Sequence, residues 1–232
     1  MRKILAVYKK DTASLFVSPV AYVSIALFMF LISIMVTRDM ATADLRDVFG
    51  ATGLFMIFVI PMATMRTWSE ELTGGTHELL HTSPLTFTHI VIGKFLAVMT
   101  LILAIFLLTG QYALLVLKFG KPDWGPIATG YLGMFLLCGA FVSIGVFASS
   151  LTGNQFISAV IAFVILLFFM FVDTLASLFP GFIGTVFEEL AVFKHYEPFD
   201  KGLLDLSHVI FFVGFIFVFL FLTVRNLEAR RW

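Results

Sequence analysis

The chain has 232 residues; 60% are apolar and 13% are charged, with 15 basic and 15 acidic side chains and a formal net charge of zero. Soluble domains contain about 45–50% apolar and about 25% charged residues, so this composition excludes a water-soluble fold, whose surface must be polar. The balanced charge offers no basic surface for nucleic acid, and the single cysteine, Cys138, excludes an internal disulfide and a cysteine-rich metal site. We predict an integral membrane protein.

Six segments are apolar over roughly the 20 residues that a membrane-spanning helix needs. They are residues 17–37, 52–67, 90–117, 126–151, 156–178 and 206–224. The sequence therefore predicts an all-α, polytopic protein in which residues 1–232 form a single transmembrane domain.

The first sixteen residues are predicted to form an amphipathic helix on the membrane surface. At 100° per residue, one arc is apolar and the opposite arc is basic. The apolar side chains are Ile4, Leu5, Val7, Tyr8, Leu15 and Phe16, and the basic ones are Arg2, Lys3, Lys9 and Lys10. Asp11 does not fit this division. Ser18 and Pro19 supply an N-cap and a first-turn proline for the first span.

A basic start, an apolar run and the Ala-Thr-Ala of residues 41–43 also resemble a secretory signal peptide. The apolar run of about 21 residues is longer than the roughly 7–15 residues of a signal peptide. We therefore interpret residues 17–37 as a retained first span.

Two residues predict irregularities in the next two spans. Pro61 removes a backbone hydrogen bond, so the second span is expected to kink there. Lys94 lies close to the start of the third span, where we expect its side chain to extend to the membrane surface.

The segment between these two spans, residues 68–89, contains one enzyme-like motif. Residues 77–81 read H-E-L-L-H and match H-E-x-x-H, which on a helix places two histidines on one face for zinc, with a glutamate beside them as a base. A membrane-embedded zinc metallopeptidase is therefore an alternative hypothesis. His89, the nearest further histidine, is eight residues past the motif, and Glu188 and Glu189 are expected across the membrane. We interpret the match as coincidence, with no metal at His77 or His81.

The same segment is otherwise typical of a short cytoplasmic helix. Thr76 follows two glycines and can cap this helix, and Glu78 lies in its first turn near the positive end of the helix dipole. Leu79 and Leu80 form an apolar pair, and Pro84 ends the helix.

The fourth span carries small residues at helical spacing, which allow helices to approach closely in lipid. These are Gly139 with Ser143, and Gly145 with Ser149. Packing inside the bundle is sufficient to explain them. Residues 152–155, Thr-Gly-Asn-Gln, form an uncharged turn to the fifth span.

Residues 179–205 are predicted to contain a short helix that does not cross the membrane. Apolar side chains recur every three or four residues from 182 to 193, but twelve residues rise only about 18 Å against a hydrocarbon core near 30 Å. We expect a re-entrant or interfacial helix at the outer leaflet, either a plain surface helix or an outer gate. The candidate gate residues are Pro180, Phe182, Phe187, Glu188 and Glu189.

Basic residues favour an orientation with both termini in the cytoplasm. Four lie in the first ten positions, and Arg225, Arg230 and Arg231 follow the last span. The positive-inside rule places both groups in the cytoplasm, so we expect a multi-pass protein of a bacterial or archaeal cytoplasmic membrane.

A spaced pattern runs through residues 66–94. It reads R-x-x-x-E-E-x-x-x-G-T-x-E-L-L-x-T-x-P-L, followed by I-V-x-G-K. The residues in the pattern are Arg66, Glu70, Glu71, Gly75, Thr76, Glu78, Leu79, Leu80, Thr82, Pro84, Leu85, Gly93 and Lys94. This closely resembles the permease subunits of ABC-2 type exporters, particularly the gliding-motility-associated group. The resemblance extends to residues 18–22 and 144–155, and His77 and His81 depart from it.

The resemblance implies a fold, partners and roles. The fold is that of a type V exporter: six transmembrane helices, an N-terminal connecting helix, a coupling helix between spans 2 and 3, and an outer re-entrant segment. The coupling helix would sit in a groove of an ABC ATPase subunit, which binds ATP and Mg, while this chain holds no cofactor and no catalytic residue. Glu70 and Glu71 would pair with basic residues of the ATPase or with Arg66. The implied ATPase-coupling residues are Arg66, Glu70, Glu71, Gly75, Thr76, Glu78, Leu79, Leu80, Thr82 and Pro84.

The implied function is export of a substrate, driven by ATP hydrolysis in the partner. Other partners are a second copy or paralogue of the permease, an accessory periplasmic or membrane subunit, and membrane lipid, but no nucleic acid. The phenylalanine-rich last two spans suit a lipid or lipoprotein cargo and suit lipid exposure equally well. An ion channel or proton-coupled carrier would need charged residues in mid-span, and Asp173, near the outer end of its span, is the single weak candidate.

Overall fold

The computed structural model of the chain describes residues 2–39, 46–74, 86–119, 124–179 and 181–229. These residues form ten helices and no strand. The helices are α1 (Arg2–Val17), α2 (Pro19–Asp39), α3 (Arg46–Thr64), α4 (Arg66–Thr73), α5 (Phe87–Phe119), α6 (Trp124–Leu151), α7 (Gln155–Leu178), α8 (Phe182–Leu190), α9 (Val192–Asp200) and α10 (Leu206–Ala229). The predicted all-α fold is confirmed.

Six stretches among these residues are long and apolar enough to cross a membrane. They are Pro19–Val36, Phe49–Thr73, Phe87–Tyr112, Trp124–Leu151, Gln155–Leu178 and Leu206–Ala229. The six predicted spans are confirmed, and the chain is a multi-pass membrane protein. The second stretch includes α4, and the third begins three residues earlier than predicted.

Helix α6 is the centre of the bundle. Within its span 78% of the residues are buried, against 22% for α7 and 17% for α10. Its small residues explain this position: a Cβ on Gly145 would overlap Thr64 Oγ1 of α3, and one on Gly139 would lie 3.0 Å from Ile216 Cδ1 of α10. Because lipid gives helices no hydrophobic reason to associate, such close packing is what stabilises the bundle.

The second span is interrupted between α3 and α4. Pro61 lies inside α3, and the break in the helix comes four residues later, at Met65. The Met65 N–H still donates to Pro61 O, at 2.9 Å. Helix α4 therefore continues the second span after a single irregular residue.

The segment between α7 and α10 contains two short helices, so the prediction of one helix over residues 182–193 is wrong. Helix α8 ends at Leu190 and α9 starts at Val192, with the backbone of Ala191 extended. Tyr196 and Phe199 of α9 are buried, whereas Phe182 of α8 is 84% exposed. The two apolar faces point to different surroundings, which one straight helix could not provide.

Helices α4 and α9 lie at opposite ends of the bundle. Helix α4 contacts the last turn of α6, through Ser149. Helix α9 contacts the first half of α6, where a Cβ on Gly133 would overlap the Phe199 side chain. We call these the α4 end and the α9 end.

Candidate functional site

At the α4 end, α1 packs along the start of α5. A Cβ on Gly93 would lie 2.9 Å from Val7 Cγ1 and 3.2 Å from Ile4 O, so this glycine allows the two helices to touch. Thr100 Oγ1 of α5 donates to Tyr8 Oη at 3.1 Å. Val7 is buried, while Leu5 is 50% exposed. Part of the predicted amphipathic face of α1 is therefore covered by protein.

Lys94, about two turns into α5, is buried beneath α1 and α4, with 3% of its side chain exposed. Its Nζ donates to Thr67 O at 2.7 Å, and it lies 3.0 Å from Glu71 Oε2 and 3.3 Å from Asp11 Oδ2. The Trp68 ring centroid is 4.9 Å away. The expectation that Lys94 extends to the membrane surface is wrong, because two carboxylates and a carbonyl replace water around the ammonium group.

The contacts of Asp11 explain why an acidic residue interrupts the amphipathic pattern of α1. It connects α1 to α5 through Lys94, and Lys10 Nζ lies 4.0 Å from its other oxygen. Burial raises the pKa of Asp11, and Glu71 adds to this, while Lys94 and Lys10 favour the charged carboxylate. Lys10 also donates to Glu71 Oε1 at 3.1 Å. We call Lys10, Asp11, Glu71 and Lys94 the Lys94 cluster.

A second set of polar contacts connects α4 to α2 and α7. Arg66 Nη1 donates to Ser18 Oγ at 2.8 Å, and this hydroxyl also caps α2 by accepting from Val20 N at 3.3 Å. Arg66 Nε lies 2.6 Å from Glu70 Oε1, which accepts from Gln155 Nε2 at 3.1 Å. Of the pairings considered from sequence, Arg66–Glu70 is present, whereas Glu71 pairs with lysines of α1 and α5.

Ser149 holds the start of α4 against the end of α6. Its Oγ accepts the backbone N–H groups of Trp68 at 2.9 Å and Ser69 at 3.2 Å, and it donates to Met65 O at 3.1 Å. These are first-turn donors that a helix leaves without partners. Sequence analysis identified Ser149 as a small residue within one of the stretches of family resemblance; its position in the last turn of an apolar helix was the available signal for a capping role.

A cavity of about 260 Å³ lies beside these contacts, between α1, α2, α3, α4 and α5. Its charged lining contains both signs, and its hydroxyl-bearing side chains are Ser14, Ser18 and Thr67. The charged residues are Lys10, Asp11, Arg66, Glu70, Glu71 and Lys94.

Most of the predicted coupling helix lies outside the described residues. This applies to Gly75, Thr76, Glu78, Leu79, Leu80, Thr82 and Pro84, to the His77 and His81 of the H-E-x-x-H match, and to Pro180 of the candidate outer gate. Gly74, the last described residue before this segment, caps α4 by donating to Glu70 O at 2.9 Å. Over the described ranges, no three His, Cys, Asp or Glu side chains are placed to hold a metal ion.

The remaining outer-gate candidates lie near the α9 end, away from the Lys94 cluster. Phe182 is exposed, and Phe187 lies with its ring centroid 6.0 Å from that of Phe179. Glu188 accepts from Lys194 Nζ at 2.6 Å, and the carbonyl of Glu189 faces His195 Nε2 at 3.0 Å. Asp173 is exposed on α7.

The arrangement at the α4 end can transmit displacement between helices. Moving Glu71 away from Lys94 would leave the buried ammonium group without one of its carboxylate partners, and such an uncompensated charge costs several kcal/mol. A displacement of α4 would therefore be passed to α5 through Lys94 and to α1 through Asp11.

No protein-family model matches the sequence, and no curated protein matches it either.

Proposed function

We propose that this chain is the transmembrane permease subunit of an ATP-driven exporter of the ABC-2 type. One observation carries the proposal: the three separate stretches that resemble this family meet at the α4 end. Ser18 contacts Arg66, Glu70 contacts Gln155, and Ser149 contacts the first turn of α4. A short motif arises easily by chance, but segments up to about 130 residues apart that match one family and also contact one another support a shared role.

In the proposed mechanism, force enters through residues 75–85, which directly follow α4. Leu79 and Leu80 seat in a groove of an ATPase subunit, which holds ATP and Mg. ATP binding draws two ATPase subunits together and displaces this segment. Helix α4 then moves together with α5 through the Lys94 cluster and with α6 through Ser149, so that two copies of the bundle rearrange around the substrate. With both termini in the cytoplasm, as the basic residues predict, the α4 end faces the cytoplasm.

The test is the double variant Leu79→Asp with Leu80→Asp. A carboxylate in an apolar groove is desolvated without a partner, so the ATPase subunit should no longer co-purify and transport-linked hydrolysis should be lost. The matched control is Leu203→Asp with Leu204→Asp, since these adjacent leucines are each 62% exposed near the α9 end. The control should retain both properties.

Unchanged ATPase association in the Leu79/Leu80 variant would contradict the proposal. The metallopeptidase alternative is separated by elemental analysis of the purified wild type. Equimolar zinc that disappears in His77→Ala would favour that alternative, because the first histidine of H-E-x-x-H must be a ligand.

A further inference from the structure

Two histidines near the α9 end share a hydrogen bond that nothing in the proposed export mechanism uses. His195 Nδ1 of α9 lies 2.8 Å from His208 Nδ1 of α10. His195 Nε2 lies 3.0 Å from the carbonyl oxygen of Glu189, and its ring stacks on Phe211 with a centroid distance of 3.8 Å. Both rings are half-buried, so protons from solvent can reach them.

These contacts determine where the protons lie. A carbonyl oxygen only accepts, so His195 Nε2 must carry a hydrogen. In the neutral ring, Nδ1 of His195 is then a lone pair, and it accepts the Nδ1–H of His208. A proton on Nε2 of His208 would leave this bond intact, because Nδ1 of His208 still donates. When Nδ1 of His195 is protonated opposite a cationic His208, no acceptor remains, and the two Nδ1–H groups face each other.

We propose that His195 and His208, the histidine pair, form a proton-binding site that joins α9 to α10 and loosens this junction when His195 is protonated opposite a cationic His208. The inference does not depend on the export function. Helix α9 is also held to α6 through apolar side chains, including Phe199. The histidine pair joins α9 to α10 beside the ring contacts of His195 with Phe211 and of Phe199 with Phe212, so its loss weakens the attachment of α9 on the α10 side.

The surrounding charges determine the direction of the pH effect. Burial lowers the pKa of His195, and the neighbouring His208 and Lys194 lower it further, against the carbonyl and carboxylate of Glu189 from α8, which raise it. Phe211 of α10 brings no charge. Because the pKa in the closed state is below its ordinary value, the contribution of the bond is complete above about pH 6.5 and is lost as the pH falls below that value.

Hydrogen exchange of the intact protein in micelles tests this directly. Protection factors of the α9 amides, corrected for intrinsic rates, should fall roughly two- to tenfold between about pH 7.5 and about pH 5.0, as expected for loss of one hydrogen bond. In His195→Asn, the side-chain oxygen takes the place of Nδ1 and accepts from His208 without titrating, so protection should not fall. The matched control, His89→Asn at the α4 end, should behave like the wild type.

An equal acid-induced fall in His195→Asn, or no fall in the wild type, would overturn the proposal. A measurement without variants gives a second decision. The ¹⁵N spectrum of histidine-labelled wild-type protein should contain an unprotonated Nδ1 near neutral pH that becomes protonated over the same range in which α9 loses protection. If all the Nδ1 atoms of the histidine pair carry hydrogen at neutral pH, the proton assignment is wrong.

Discussion

Replacing Lys94 with Met tests the physical basis of the Lys94 cluster. The change removes an ammonium group that is 3% exposed and leaves Asp11 and Glu71, whose side chains are each 14% exposed. Glu71 keeps Lys10 at 3.1 Å, whereas Asp11 keeps Lys10 only at 4.0 Å. Asp11 therefore loses more of the positive charge that stabilises its carboxylate. Breaking a buried ion pair in this way typically costs about 3–5 kcal/mol.

The variant can limit this loss by protonating Asp11. Protonating a carboxylate whose ordinary pKa is near 3.9 costs about 1.4 kcal/mol for each pH unit above that pKa, which is about 4 kcal/mol at pH 7. The same step costs only about 1.5 kcal/mol at pH 5. Since the folded variant binds this proton more tightly than the unfolded chain, its stability rises as the pH falls. We expect a loss of about 3–4 kcal/mol at pH 7 that shrinks to about 1.5 kcal/mol at pH 5.

The assay is reversible unfolding of the purified protein in mixed micelles, followed by tryptophan fluorescence, because Trp68 is buried against Lys94. The matched control is Lys201→Met, which removes an exposed lysine that lies 2.6 Å from Glu197. An exposed pair contributes at most about 1 kcal/mol. If Lys94→Met costs no more than this control, or if acid does not reduce its cost, the role given to the buried charges is refuted.

Two further outcomes are expected. Gly145→Ala should destabilise the bundle by about 1–3 kcal/mol, because the added methyl group would overlap Thr64 of α3. Gly214→Ala, whose methyl group would meet no atom within 4 Å, should not destabilise it. Thermal unfolding of both variants measures this difference. In a Cys138→Ser background, a cysteine at Glu189 should react with an impermeant thiol reagent in intact cells, and one at Lys9 only after permeabilisation; reaction of both in intact cells would contradict the six-span topology.

The parts of the fold that sequence predicts well are those with a local signal. The six spans follow from hydrophobic length, and the Ser18 cap follows from a hydroxyl residue followed by proline. The break at Ala191 has no such signal, because the apolar spacing continues through it. It arises from which neighbours cover each face, and those neighbours are distant in sequence.

The charged site could be predicted only in part, for a similar reason. Arg66 and Glu70 are one helical turn apart, so their pairing is visible in the sequence. Lys94 was expected at the surface because a lysine near the end of a span ordinarily extends to water. Its actual partners come from α1 and α4, and no local rule connects position 94 with position 11.

The Lys94 cluster also sets an order for the assembly of the protein during synthesis. Asp11 and Glu71 leave the ribosome before Lys94, so α1 and the second span are made while their buried counter-charge is still missing. Contacts this distant in sequence form late, since the intervening chain must first be closed into a loop. Helix α1 therefore reaches its final place only when the third span has entered the bundle, and a chain stopped before that point would present its acidic side chains to the membrane surface.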